Sequence, residues 1–205
     1  TSVSAFAGAL LAVGVVWALT KLRPDFSATV LLLAGVAMNF FFSSVILFVQ
    51  YTASLGDSYR IIRWLMGGLG AVDQSTVLHM APVVVAGGLV VAWHGRALDL
   101  LTTGPEVAAS RGVAVAKTRT VLFIATSVMI GGVVAACGPI GFVGMMAPHI
   151  CRLLVGPDHR ILLPASVFFG GAFLAVCDTA ARLVLAPAEL PVGVITAFLG
   201  ARFIM

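Results

Sequence analysis

The run VLLLAGVAMNFFFSSVILFVQ, residues 30–50, contains no charged side chain and is long enough, as a helix, to cross the hydrocarbon core of a bilayer. Further apolar runs lie at 3–19, 77–93, 120–136, 140–155, 161–176 and 192–205. Of the 205 residues, 60% are hydrophobic and only 10% are charged, whereas soluble domains are about 25% charged. The sequence therefore predicts an all-α, polytopic transmembrane helical bundle with seven spans, of which 140–155 is interrupted by glycine and proline.

Positive charges are scattered singly at the ends of these runs, although the net charge is +4. Scattered cations are typical of membrane-surface anchors and exclude a nucleic-acid interface. If the chain begins outside, nine of the twelve cations fall on the inner side, namely Lys21, Arg23, Arg96, Arg111, Lys117, Arg119, Arg152, Arg160 and Arg202. The outer side keeps Arg60, Arg63 and Arg182. This asymmetry predicts a cytoplasmic C-terminus.

The reactive side chains do not form a catalytic or metal-binding pattern. Cys137, Cys151 and Cys177 lie in or beside apolar runs without a CxxC pair, so we interpret them as small buried hydrophobes. His149 and Cys151 are two residues apart and point to different faces of a helix, which disfavours a shared metal. GVAVAKT, residues 112–118, lacks the glycines of a P-loop. We expect no cofactor, no metal and no nucleotide site in this chain.

Two connections are longer than a hairpin requires. Residues 50–75 include SYRIIRWLMGGLG, which predicts a short helix on the membrane surface, ended by glycines. Residues 102–119 lie on the inner side and predict a helix of about two turns. Its expected ends are a capping box of Thr103 and Glu106 with Pro105 in the first turn, and a left-handed Gly112. Such a helix is either an ordinary loop helix or a docking element for another protein.

Polar and small side chains recur at helical spacing inside two spans. Gly35, Asn39 and Ser43 form a stripe on the second span, and Gly193, Thr196 and Gly200 form one on the last. Each stripe either packs against a helix or lines a water-filled path, and the residues alone leave both open.

One acidic and one basic residue stand four apart near the outer end of the sixth span. Asp178 and Arg182 can form a local ion pair, or Arg182 can contact a partner.

The order of several long motifs resembles the FecCD-type (type II) permeases of ABC importers for iron-siderophore, haem or cobalamin. The resemblance rests on LLLAGVAMN (31–39), MGGLGAVD (66–73), 102–120, GPIGFVGMMAPHICRLLVGPDHRILLPAS (138–166) and CDTAARLVLAPAELPVGVITAFLGARFIM (177–205). It implies one transmembrane permease domain over 1–205 that corresponds to spans four to ten of a ten-span subunit, truncated at its N-terminal side. The implied partners are two cytoplasmic ATP-hydrolysing subunits, a periplasmic binding protein and a second copy of the chain, in a bacterial inner membrane.

The resemblance also implies a role for matching residues. Residues 102–119 match the cytoplasmic coupling segment, which contacts the ATPase through Thr103, Gly104, Pro105, Glu106, Ala109, Arg111 and Gly112. Arg182 and Glu189 match the docking corner for the binding protein. The cytoplasmic gate matches Ser27, Ala28 and Thr29. The path-lining positions are Gly35, Asn39, Ser43, Gly193, Thr196 and Gly200.

The function implied is transport of a metal chelate, most often an iron(III)-siderophore, with haem and cobalamin as alternatives. The permease itself is not an enzyme, since its partner hydrolyses ATP. Two other classes fit less well: an ion-coupled secondary transporter would need more ionisable residues than His149 and Asp178 in the membrane, and an intramembrane hydrolase would need a G-x-S-x-G or a Ser–His pair.

Overall fold

The computed structural model describes residues 2–21, 28–70, 72–184 and 190–204. Ten α-helices occur in these ranges, and no strand does: α1 Ser2–Lys21, α2 Ala28–Thr52, α3 Leu55–Leu65, α4 Gln74–Trp93, α5 Gly95–Thr102, α6 Pro105–Ser110, α7 Val115–Cys137, α8 Val143–Val155, α9 His159–Val184 and α10 Val192–Ile204. The all-helical prediction is confirmed.

The predicted apolar runs coincide with α1, α2, α4, α7, α8, α9 and α10. In the described residues, four helices are both long and apolar enough to cross a membrane, within α2, α4, α7 and α9. The apolar parts of α1, α8 and α10 are shorter, at 10–17 residues. The seven predicted positions are therefore helical, but the count of seven full spans is not reproduced by helix length.

The chain folds into two compact units, Thr1–Arg63 and Trp64–Met205. In the first unit α1 packs against α2, and many large apolar side chains of α2, such as Leu32, Phe40 and Phe48, are exposed. The predicted surface helix is α3, which is strongly amphipathic. Its N-terminus is capped by Ser54, whose Oγ accepts the Asp57 N–H at 3.2 Å.

The second unit is built on two helix pairs, α4 with α7 and α8 with α9, and α10 packs on α8 and α9. Its buried core contains all three cysteines as free thiols, between 2% and 9% exposed. This burial agrees with the interpretation of the cysteines as small hydrophobic residues. The short helices α5 and α6 follow α4; α5 also packs on α9, and α6 packs on α7.

The interrupted span begins later than predicted, at Val143 instead of residue 140. Residues 138–142 form a loop that ends in a three-residue turn, because the Val143 N–H donates to the Gly141 carbonyl at 2.9 Å. The central residue, Phe142, has φ 67 and is the only non-glycine residue with positive φ in the described ranges. Gly138, Pro139 and Gly141 explain the shortened helix, since proline lacks an N–H and glycine favours a turn.

Candidate functional site

The predicted capping box in 102–119 is wrong. Thr103 ends the preceding helix, α5, and its hydroxyl donates to the Leu100 carbonyl at 2.7 Å, so it does not cap α6. The N-cap of α6 is Gly104, at φ 123, and Pro105 occupies the first turn as predicted. The sequence did not predict α5, and Thr103 is the C-cap residue of that helix.

The C-terminal end of α6 confirms the prediction for Gly112, which has φ 85. The Gly112 N–H donates to the Ala109 carbonyl, and the Val113 N–H donates to the Ala108 carbonyl, both at 3.0 Å. This pair of bonds is a Schellman motif, which satisfies carbonyls that a helix end leaves free. The short helix is thus fixed at its end by backbone geometry.

The two faces of α6 differ in exposure. Ala108 is fully buried, and α6 packs on α5 and α7. Glu106, Ala109 and Arg111 are exposed. The exposed side of α6 is therefore shallow at Ala109. Glu106 lies one turn before Ala109, and Arg111 follows at the C-cap, so one charge of each sign flanks the helix, which suits close approach by a second protein.

A contact that the sequence analysis missed holds this segment against α9. One Asp99 carboxylate oxygen on α5 accepts the backbone N–H of His159 at 3.0 Å and lies 2.5 Å from His159 Nδ1. Partial burial raises the pKa of the Asp99 carboxyl, but the hydrogen bonds and charge of His159 lower it more, so its net shift is downward. The aspartate in RALDLL and the histidine in PDH, which begins α9, are both visible in the sequence, but nothing local links residues 60 positions apart.

The stripe on α10 is a packing face in this conformation. Thr196 is fully buried, and its hydroxyl donates to the Gly193 carbonyl at 3.1 Å. Gly200 lies against the Phe142 ring, which would overlap any Cβ placed there. Of the two interpretations left open for Gly193, Thr196 and Gly200, helix packing describes these contacts.

Three glycines meet where α7 ends and α10 begins, and we call Gly67, Gly138 and Gly193 the glycine knot. A Cβ at each would overlap a backbone carbonyl oxygen, those of Pro139, Trp64 and Met66 respectively. The Gly68 N–H donates to the Cys137 carbonyl at 2.8 Å, and the Gly193 N–H donates to the Gly67 carbonyl at 3.3 Å. The segment after α3, the end of α7 and the start of α10 are thereby joined through their backbones.

The stripe on α2 has the opposite environment within its own unit. Gly35, Asn39 and Ser43 are exposed, and no atom lies within 4 Å of a Cβ built on Gly35. Ala28 and Thr29, predicted as part of a gate, belong to the first turn of α2. Ser27 lies outside the described residues.

At the last turns of α9, the Arg182 Nε donates to the Asp178 carboxylate at 2.9 Å. The Arg182 side chain is 45% exposed and that of Asp178 is 22% exposed. The predicted local ion pair is therefore present, and the Arg182 side chain as a whole is partly exposed. Glu189 lies outside the described residues. In the described ranges, no cluster of three His, Cys, Asp or Glu side chains could hold a metal.

A sequence model of the FecCD transport family matches residues 1–205. The chain is 41% identical to the cobalamin import system permease protein BtuC of Halobacterium salinarum, covering 98% of this chain and 54% of that protein. It is 34% identical to the iron(3+)-hydroxamate import system permease protein FhuG of Bacillus subtilis, covering 98% and 59%. It is also 34% identical to the hemin transport system permease protein HmuU of Yersinia pestis, covering 99% and 60%.

The fold is also similar to a solved metal-chelate type ABC transporter in an inward-facing conformation. The TM-score is 0.85 at 28% identity, over 100% of this chain and 71% of that one. The chain spans a little over half the length of the curated relatives described above.

Proposed function

Because the chain belongs to the FecCD transport family, we propose that it is the membrane-spanning permease subunit, or part of it, of an ATP-binding-cassette importer for a metal chelate. Iron(III)-siderophore is the proposed cargo, and haem and cobalamin are the alternatives to test. The proposed assembly holds two copies of the permease, two cytoplasmic ATP-hydrolysing subunits and one periplasmic binding protein. The proposed location is the inner membrane, with the C-terminus in the cytoplasm.

The exposed face of α6 is the observation that carries this proposal. A helix of six residues is too short to persist by itself in water, yet α6 is fixed by Pro105, by the Schellman motif at Gly112 and by the buried Ala108. Its exposed Ala109 lies between Glu106 and Arg111. A fixed, shallow and charged surface of this kind suits a groove on the ATPase subunit, whose closure would push on it.

The end of α9 supports the second proposed contact. Asp178 orients the Arg182 side chain while 45% of that side chain stays exposed. A carboxylate on a binding protein could approach the exposed part of this side chain and form a charge-assisted contact with it. We propose that Arg182 and Glu189 form the docking corner. We also propose that Asn39 and Ser43 line the path and that residues 27–29 gate it.

The test is Ala109→Trp in the full-length permease, reconstituted in vesicles with its ATPase and binding protein. The indole would stand on the exposed face of α6 and prevent close docking, so ATP-dependent uptake and cargo-stimulated ATP hydrolysis should fall together by at least about tenfold. The matched control is Ala92→Trp, because Ala92 is exposed beside Trp93 at the end of α4 and precedes α5. The control should transport normally.

Three results would contradict the proposal. Normal uptake by Ala109→Trp, with the ATPase still bound, would remove the coupling role of α6. Uptake that stops with an ionophore but continues without ATP would identify an ion-coupled secondary transporter. If the binding protein retains neither iron(III)-siderophore, haem nor cobalamin, the proposed class of cargo is refuted. If it retains only haem or only cobalamin, that chelate replaces the siderophore as the proposed cargo.

A further inference from the structure

The contact between Asp99 and His159 joins the segment that carries α6 to the first residue of α9. Asp99 lies in the second turn of α5, and His159 begins α9. One Asp99 carboxylate oxygen accepts a hydrogen bond from the backbone N–H of His159 and also lies within hydrogen-bond distance of its ring Nδ1. The His159 side chain is 12% exposed and the Asp99 side chain is 35% exposed, so water reaches the contact only from the aspartate side.

The surroundings make the contact a joint between helices. Gly95, which begins α5, is buried, and a Cβ there would lie 4.0 Å from the His159 Cβ. Only Thr103 and Gly104 separate α5 from α6, and the two helices pack together. A displacement of α6 therefore moves α5. Through Asp99, α5 contacts both the backbone N–H and the ring of His159, so α9 would follow.

The helix that starts at this joint reaches the proposed docking corner. α9 extends over 26 residues, His159–Val184, with Pro164 inside its second turn, and 26 helical residues correspond to about 39 Å at 1.5 Å per residue. Arg182 and its partner Asp178 lie in its last turns. Cys177 and Ala181 are buried near the same end, so a shift of the helix is transmitted to the packed part of the second unit.

We propose that the Asp99–His159 contact is the mechanical joint through which movement of α6 reaches α9 and, along α9, the docking corner at Arg182. Asp99 and His159 are positioning residues in this account, since neither touches cargo or ATP. The inference rests on the proposed function, because it requires α6 to move with the ATPase. Packed elements of this kind couple two distant sites when both sites shift the equilibrium between the same two arrangements.

The competing explanation is that Asp99 only caps α9. The neighbouring Asp158 offers a matched control, because its carboxylate accepts the Arg160 N–H at 2.9 Å and caps the same helix from within its own segment. Removing either aspartate exposes one N–H of the first turn of α9. Only the removal of Asp99 also separates α9 from α5.

The experiment compares Asp99→Ala, Asp99→Asn and Asp158→Ala in the full-length permease, reconstituted with the ATPase and the binding protein. For each variant, one measures thermal stability, capture of both partners, basal ATP hydrolysis, and hydrolysis stimulated by the binding protein with cargo. In Asp99→Ala the rate of stimulated ATP hydrolysis should fall about tenfold, which is the change expected for the loss of one charge-assisted hydrogen bond. Both partners should still bind. Asp99→Asn keeps an oxygen acceptor and should retain most of the stimulation, and Asp158→Ala should retain all of it.

Several results would overturn the joint. Equal stimulation in Asp99→Ala and wild type would leave the proposed function intact and refute the inference. If stimulated hydrolysis falls equally in Asp99→Ala and Asp158→Ala, the contact is only a helix cap. The same conclusion holds if the loss of stimulated hydrolysis across the variants is proportional to their loss of thermal stability. If the wild-type assembly hydrolyses no ATP in response to cargo, the proposed function fails, and the inference fails with it.

Discussion

At one end of α7, Gly138 lies against the backbone of Trp64, whereas before the other end Gly112 stands in open space. Both have positive φ, at 72 and 85. At Gly138 the missing Cβ makes room for another segment. At Gly112 the missing Cβ only allows the backbone to turn, as it does at Gly104 and Gly156, where an added Cβ would also meet no atom within 4 Å.

The difference separates a fixed end from an adjustable one. The glycine knot joins its three segments by backbone hydrogen bonds and close backbone contact, which depend on no particular side chain. The end with α5 and α6 is held by helix packing and by the contact between the Asp99 side chain and His159. These contacts restrain the segment less than close-packed backbone does, so we expect α5 and α6 to move together at this end, with the Asp99–His159 contact kept, and rigidity at the knot.

The strongest way to break this comparison is Gly138→Ala. The added Cβ would overlap the Trp64 carbonyl oxygen, and alanine also resists positive φ, so the free energy of unfolding should fall by about 3 kcal/mol or more. The measurement is thermal unfolding in detergent. Gly141→Ala is the control in the same loop, since no atom lies within 4 Å of its Cβ. Equal melting temperatures for the two variants would refute the steric role of the knot.

Gly112→Ala should have a smaller effect. Only the φ of 85 is unfavourable to alanine there, so the cost should be about 1–2 kcal/mol. The loss should be confined to the end of α6 and weaken coupling to the ATPase more than it lowers the melting temperature. Gly144→Ala, in open space within α8, serves as the helical control and should be neutral or slightly stabilising. A larger destabilisation at Gly112 than at Gly138 would reverse the assignment of rigid and adjustable ends.

The smallest expected effect concerns the N-cap of α4, which follows the segment of Gly67. The Asp73 carboxylate accepts hydrogen bonds from the Thr76 and Ser75 hydroxyls and from the Thr76 N–H, and these lower its pKa from 3.8 to about 2. A lowered pKa stabilises the fold above pH 3.8, and this stabilisation is lost as the pH falls toward about 2. Asp73→Ala should therefore melt slightly below wild type at neutral pH, and the two should converge in acid.

Asp73→Asn is the control for this titration, since its amide oxygen can accept the two bonds from Thr76, although its NH2 group cannot accept the bond from Ser75, and it does not ionise. Asp73→Asn should melt above Asp73→Ala at neutral pH, and this difference in melting temperature should persist in acid. If the difference between wild type and Asp73→Ala is the same at neutral pH and in acid, the carboxylate does not stabilise the fold through its charge.

The sequence predicted the helices well because bilayer-length apolar runs and glycine ends are local signals. It placed the seven apolar helices and α3, and it identified Gly112 as a left-handed end. For Arg182 it predicted either a local ion pair with Asp178 or a contact with a partner. The ion pair could be predicted because the two residues are only four apart. Family motifs supplied the roles of the remaining site residues.

What the sequence did not predict depends on long-range proximity. Thr103 was assigned to the wrong helix because α5 is too short and too polar to stand out as an apolar run. The Asp99–His159 contact and the glycine knot unite segments that are distant along the chain. In a single sequence, one aspartate among leucines and single glycines in loops carry no sign of the partner that they meet.

The turn at Phe142 has a consequence for sequence variation. Its φ of 67 is unfavourable for a side chain, yet the ring fills the space over Gly200 and so holds α10 against the start of α8. A larger residue at 200 would require a smaller one at 142, and a glycine at 142 would ease the turn but leave a gap over α10. The two positions should therefore covary among homologues, with the summed volume of the pair conserved more closely than either residue.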